Sequence, residues 1–324
     1  MHIMSIIWHL ACSLLVAAVA TRCLGRRFWG MIAGCLMAIH PAHVGTVYWI
    51  ACQTELMTTC LLLVGVLAYA KYAGWSKPWF GVGTEGRSDA RTLGHGGNRE
   101  DQIAKPRAAG IGYAFVALIC YGLALGCREN AALFPVVCWM GDRLIGTTRR
   151  RWIRWEHVGF AAVLAAYMLL RWRALGGFPI PPPPYLMPVS ASLHFLQYVG
   201  YKAAMYALGL FFFVPVVPVG SESFFAERWQ TLHGLFAAVL LLIVVIWWGY
   251  SWRRSLLWPA VWIVCLIAPM MLVFASPHHL YLPSLGMVLL VTAGLAAIAG
   301  AQPGRSRPRL ARTRAITSGV VTLV

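Results

Sequence analysis

A chain of 324 residues that is 60% hydrophobic and only 11% charged, with a mean hydropathy of +0.68, is neither an ordinary soluble domain nor a disordered segment. Its net charge of +17 does not mark a nucleic-acid binder, because the basic residues gather in short stretches between apolar runs. One all-α polytopic membrane domain over residues 1–300 therefore fits better than soluble domains.

A membrane span needs ~20 mostly apolar residues. Runs of that kind begin near Ile3, Phe28, Glu55, Ala109, Asn130, His157, Thr231, Leu256 and Leu280, so about nine transmembrane helices are expected. The first, over 3–24, lacks a basic leader and is too long for the apolar region of a cleaved signal peptide. The second closes on His40-Pro41-Ala42-His43, where the proline disfavours helix at the preceding residue and the chain must turn. The third opens near Glu55, a carboxylate suited to the positive end of a helix dipole. Residues 75–107 are polar and glycine-rich and make a cytoplasmic loop. Arg128-Glu129 forms a tight turn before the fifth run. Beyond Arg171 and Arg173, residues 174–230 form an outer-face loop that contains the stiff stretch PIPPPPY. A tenth apolar run, 190–219, is interrupted by Lys202, Gly209, Pro215 and Pro218. It is expected to be a re-entrant or interfacial helix on the outer face. His278-His279-Leu280-Tyr281-Leu282-Pro283 opens the last span, and residues 301–324 are a basic cytoplasmic tail suited to anionic lipid.

Orientation follows from the basic residues. If Arg22, Arg26 and Arg27 face the cytoplasm, so do the stretches around 71–107, 143–154 and 253–254 and the tail. That places 22 of the 27 Lys and Arg on one side and leaves Arg128, Arg171, Arg173, Lys202 and Arg228. The positive-inside rule makes the crowded side cytoplasmic. The nine cysteines form no CxxC pair and mostly sit within apolar runs, where they read as small hydrophobes.

The opposite face then collects His40, His43, Glu55, Arg128, Glu129, Arg171, Lys202, Glu222, Glu227, His278, His279 and Tyr281. Ionisable groups at membrane depth are costly and usually face a partner or a cavity. Each has a structural reading as well: histidines at helix ends, Glu55 as a helix cap, Arg128-Glu129 as a local ion pair. The functional reading makes Glu55 and Glu129 candidate catalytic bases, since burial can tune a carboxylate to accept a proton. His40, His43, Arg128, His278, His279, Tyr281, Arg171 and Lys202 become candidate substrate contacts, with arginine suited to phosphate. His40, His43 and Glu55, with His278 nearby, form an alternative metal-ligand set. No cofactor is required, and a divalent metal stays open.

Three stretches occur in one order: AIHPAHVGTVYWIACQTEL, LALGCRENAALFPVVCWMGDRL and SPHHLYLPSLGMVLL. Together they resemble the integral-membrane GT-C glycosyltransferases, and within them the membrane region of the transmembrane-and-tetratricopeptide-repeat O-mannosyltransferases and their bacterial relatives. His40, Pro41 and His43 match the first family motif. Glu55 stands for its acidic residue, Arg128-Glu129 for a Lys-Glu turn, and Tyr281, Leu282 and Pro283 match the last. Gly45, Gln53, Pro277 and His278 depart from the pattern. The resemblance implies a sugar, mannose among the candidates, carried on a polyprenyl phosphate. It would pass to a hydroxyl of a protein or glycan acceptor on the non-cytoplasmic face, with inversion. A bacterial inner membrane is favoured over the endoplasmic reticulum. The family's first span and first-loop acid have no counterpart here, so the resemblance also implies either a segment before Met1 or a chain that has lost catalysis. The competing expectation is a transporter or a lipid-linked-sugar binding protein.

Overall fold

The computed structural model describes residues 2–75, 108–146, 155–177, 193–211, 257–273 and 276–299. The expected loop after Trp75, the PIPPPPY stretch, the run at Thr231, Glu222, Glu227, Arg228 and the basic tail lie outside the described residues.

Every helix or turn of helix in the described residues belongs to one all-α arrangement. The α-helices are α1 (His2–Leu24), α2 (Arg27–Ile39), α3 (Val44–Tyr48), α4 (Gln53–Ala73), α5 (Ala108–Cys127), α6 (Phe134–Leu144), α7 (Trp155–Leu175), α8 (Leu193–Phe211), α9 (Leu257–Ile267) and α10 (Ser284–Ile298). Single 3-10 turns cover Pro41–His43, Ile50–Cys52, Glu129–Leu133, Ala268–Leu272 and Pro277–Leu280. Among the described residues 4 helices are long and apolar enough to cross a membrane, or 5 if the bent pair around Pro41 is one span. Large apolar side chains such as Leu14, Phe28, Ile39 and Leu170 lie on the outside of the bundle. That surface suits hydrocarbon rather than water, and the chain is an all-α membrane protein.

The bundle is organised around α1. Gln53 donates to Ser5 at 3.2 Å and Cys12 meets Cys60 at 3.2 Å, both across 48 residues of sequence. That constant offset means α1 and α4 run parallel. The hairpin of α1 and α2 turns at Gly25, which has φ 73. The two helices approach closely because Gly30 and Gly34 present no side chain; a Cβ on Gly30 would stand 2.6 Å from the Ala17 carbonyl oxygen. On the far side, Tyr121 and Phe134 stack with centroids 5.8 Å apart, and Phe160 packs its edge on both at 5.4 and 5.7 Å.

Polar groups occupy the two ends. At one end Asp142 accepts from the Tyr69 hydroxyl at 2.6 Å and the Trp75 indole at 2.8 Å. The starts of α2 and α7 and the close of α4, with Arg26, Arg27 and Lys71, belong to this basic end. The turns 40–52, 128–133 and 276–283 gather at the other.

Some runs are shorter than the sequence suggests. The fifth run yields α6, which has 11 residues. Arg128 is extended, the 3-10 turn Glu129–Leu133 then descends into the bundle, and Phe134 reaches Gly65, midway along α4. Helix therefore starts well inside the apolar layer. Within the described residues the last two runs give α9 with 11 residues and α10 with 15. The tenth run gives α8, a helix of 19 residues, and its part after Phe211 lies outside the described residues.

Candidate functional site

The motif end is built from three chain turns. In the first, His40 has extended backbone before Pro41, and the helix axis bends by 49°. The His40 Nδ1 accepts the Ala42 N–H at 3.2 Å and caps the following turn. Its Nε2 is then the protonated nitrogen and donates to the Leu210 carbonyl of α8 at 3.1 Å. His43 points inward, with Nδ1 donating to the Met37 carbonyl and Nε2 meeting the Ser284 hydroxyl, each at 2.8 Å. Tyr281 is fully buried and its hydroxyl lies 2.7 Å from Nδ1 of His9 on α1, while the other His9 nitrogen reaches the Ala38 carbonyl at 3.1 Å. His40, His43 and Tyr281 thus hold α1, α2, α8 and α10 to one another.

The second turn carries the charges. Glu55 is 1% exposed, and its carboxylate is 2.5 Å from Arg128 Nη2. Asn130 donates to the other oxygen at 3.3 Å. A buried carboxylate is tolerated only when so paired. Glu129 faces outward and pairs with Arg171 near the end of α7, which also donates to the Tyr167 hydroxyl at 3.1 Å. The Arg128-Glu129 turn therefore holds two separate ion pairs instead of one local pair. Burial pushes the Glu129 carboxyl up, but the hydrogen bond and charge of Arg171 outweigh it and hold the group below its ordinary value. Among the described residues Glu129 is the accessible carboxylate at this end, its side chain 58% exposed.

The third turn, Pro277–Leu280, sits beside the second. His278 stacks edge-on with Trp49 at 5.9 Å and lies 2.6 Å from the Ser276 hydroxyl. Burial, with the neighbouring positive charge of Arg128, pulls His278 down to about 4. His279 is held neutral for the same reason, burial first and then the charges around it. It meets the Tyr206 hydroxyl at 2.8 Å. Lys202 is buried on α8 and donates to the Met270 carbonyl. His278 and His279 both feel Arg128, so the second and third turns share one polar corner.

Each sequence candidate in the described residues thus lies at one end of the bundle, in two groups. Glu55, Arg128, Glu129, Arg171, His278 and His279 form the polar corner, with Lys202 beside His279. His40, His43 and Tyr281 form a buried histidine–tyrosine tie. The metal-ligand set does not fit its geometry: the nitrogens of His40 and His43 bond protein groups, and Glu55 bonds Arg128 and Asn130. Among the described residues no group of three or more His, Cys, Asp or Glu is placed to hold a metal.

Sequence reasoning missed His9, Asn130, Tyr206 and Ser284. For His9 a signal existed: Ser5, His9, Cys12 and Ser13 recur at helical spacing on the buried face of α1, and polar residues in a span face the interior. A groove of about 350 Å³ opens beside His9 between α1 and the broken α2–α3 pair, with His2, Ile6, Ile39 and Tyr48 among its walls.

Comparison with family models, curated proteins and solved structures finds no match to this chain.

Proposed function

We propose that the chain is a GT-C-like glycosyltransferase, with about nine spans, that moves a sugar from a polyprenyl phosphate to an acceptor hydroxyl on the non-cytoplasmic face. The observation that carries this reading is the gathering of the three motif turns at one end of the bundle, where an accessible carboxylate, Glu129, stands beside Arg171 and Arg128. A leaving phosphate requires cations, and a hydroxyl nucleophile requires a proton acceptor. In the proposed step the acceptor oxygen attacks the anomeric carbon and the bond from that carbon to the phosphate oxygen breaks. The hydroxyl proton passes to Glu129, and the polyprenyl phosphate leaves against Arg171. While Arg171 holds Glu129, the carboxylate is a weak base. Drawing Arg171 onto the phosphate would strengthen it at the moment a proton must be taken.

Glu55 plays a different part in this scheme. Its carboxylate is engaged by Arg128 and Asn130, so it orients Arg128. The same engagement favours a second reading, a non-catalytic binder of lipid-linked sugars. Transfer from a radiolabelled polyprenyl-phosphate sugar separates the two. Under the transferase reading Glu129→Gln lowers transfer by about 100-fold or more, and Arg171→Ala lowers it comparably. Saturable binding of the labelled donor with no transfer, in the chain and in Glu129→Gln alike, selects the binder. Undiminished transfer in both variants removes this site.

A further inference from the structure

We propose that Cys12 and Cys60 form an oxidisable dithiol, which a small hydroperoxide converts to a disulfide joining α1 to α4 beneath the motif turns. The idea is independent of glycosyl transfer. The two thiols face each other with sulfurs 3.2 Å apart, and both are free. Their contacts are reciprocal. The Cys12 thiol donates to the Leu56 carbonyl at 3.4 Å, and the Cys60 thiol donates to the Trp8 carbonyl at 3.7 Å. Each cysteine therefore bonds the carbonyl four residues before the other. This follows from the parallel register of α1 and α4 and fixes both sulfurs on the line of contact. A disulfide requires the sulfurs to close from 3.2 Å to ~2.05 Å.

Burial selects the oxidant. Cys12 is 0% exposed and Cys60 is 5% exposed, which excludes bulky or charged disulfides and leaves a small uncharged hydroperoxide. Cys60, the more accessible, attacks the terminal oxygen of the hydroperoxide; the O–O bond breaks, the other oxygen leaves with the thiol proton as an alcohol (as water when the oxidant is hydrogen peroxide) and a sulfenic acid remains. The Cys12 sulfur then attacks the Cys60 sulfur and water leaves with the Cys12 proton. Two thiols are oxidised and one hydroperoxide is reduced.

The test uses the purified full chain in detergent. It is treated with enough hydrogen peroxide to oxidise the exposed Cys35, unfolded in excess N-ethylmaleimide and digested without reductant. The expected product is a linked peptide pair containing Cys12 and Cys60, two hydrogens lighter than the sum of its parts and separated by reduction. Cys12→Ser and Cys60→Ser each abolish it. Recovery of Cys12 and Cys60 as alkylated thiols, or as singly over-oxidised residues, overturns the proposal. Because the wild-type chain alone gives this readout, a variant that fails to fold does not obscure it.

Discussion

At the scale of single residues the motif end shows how charge is managed in an apolar bundle. Glu55 is kept next to Arg128, Lys202 donates to a carbonyl, and His278 and His279 are held neutral. This sets the pH response. His278 in the folded chain is pulled to about 4, first by burial and then by Arg128, whereas an unfolded histidine titrates near ~6.5. Between those values the unfolded chain binds the extra proton. Stability from neutral His278 is therefore complete above the unfolded value and is lost as pH falls toward 4. The detergent-solubilised chain should show a thermal midpoint that drops by several degrees across this window. His278→Gln, which keeps an acceptor for Ser276 but does not titrate, should make the drop shallower and leave the share that His279, buried neutral beside it, contributes. The same slope in both chains would show that His278 is not the group responsible.

At the scale of elements, packing follows local chemistry that a sequence partly displays. The turn at His40 was legible because Pro41 restricts the residue before it, and the bend falls there. The outward direction of Glu129 was not, since its partner Arg171 lies 42 residues away in sequence. Nor was the pairing of Glu55 with Arg128: each separately resembles a helix-end charge, and only α4 against α5 brings them together. The half-length α6 escaped because its apolar run continues through Ala131 to Leu133, where the backbone is a 3-10 turn. Apolar content fixes burial but not the start of a helix. Close packing of α1 on α2 makes a measurable claim. A Cβ at Gly30 meets Thr21 Oγ1 at 1.9 Å and the Ala17 carbonyl at 2.6 Å, whereas nothing lies within 4 Å of one at Gly126. Thr21 could rotate, but the carbonyl cannot. Gly30→Ala should therefore destabilise the chain by about 1–3 kcal/mol, while Gly126→Ala should be neutral or slightly stabilising through helix propensity. Equal midpoints for the two variants would mean that the α1–α2 contact is looser than described.

At the scale of the whole molecule, the two ends differ in kind, and that difference carries the proposed orientation. Asp142, Tyr69 and Trp75 close one end, beside Arg26, Arg27 and Lys71. The three motif turns close the other. In the proposed orientation, positive charge retained on the cytoplasmic side would put the first end inside, and a lipid-phosphate chemistry at the motif turns would then face outward. Phe28, at the start of α2, is 63% exposed, and Tyr48, at the end of α3, is 76% exposed. Both project from the bundle surface at opposite ends, so cysteines placed there report the orientation without disturbing the core. With Cys35 replaced by serine, Tyr48→Cys in intact cells or spheroplasts should react with a membrane-impermeant maleimide. Phe28→Cys should react only after the membrane is opened. Reaction of Phe28→Cys in sealed cells, with Tyr48→Cys protected, would invert the molecule. It would put Glu129 and Arg171 in the cytoplasm, where the outer-face transfer proposed for them could not occur.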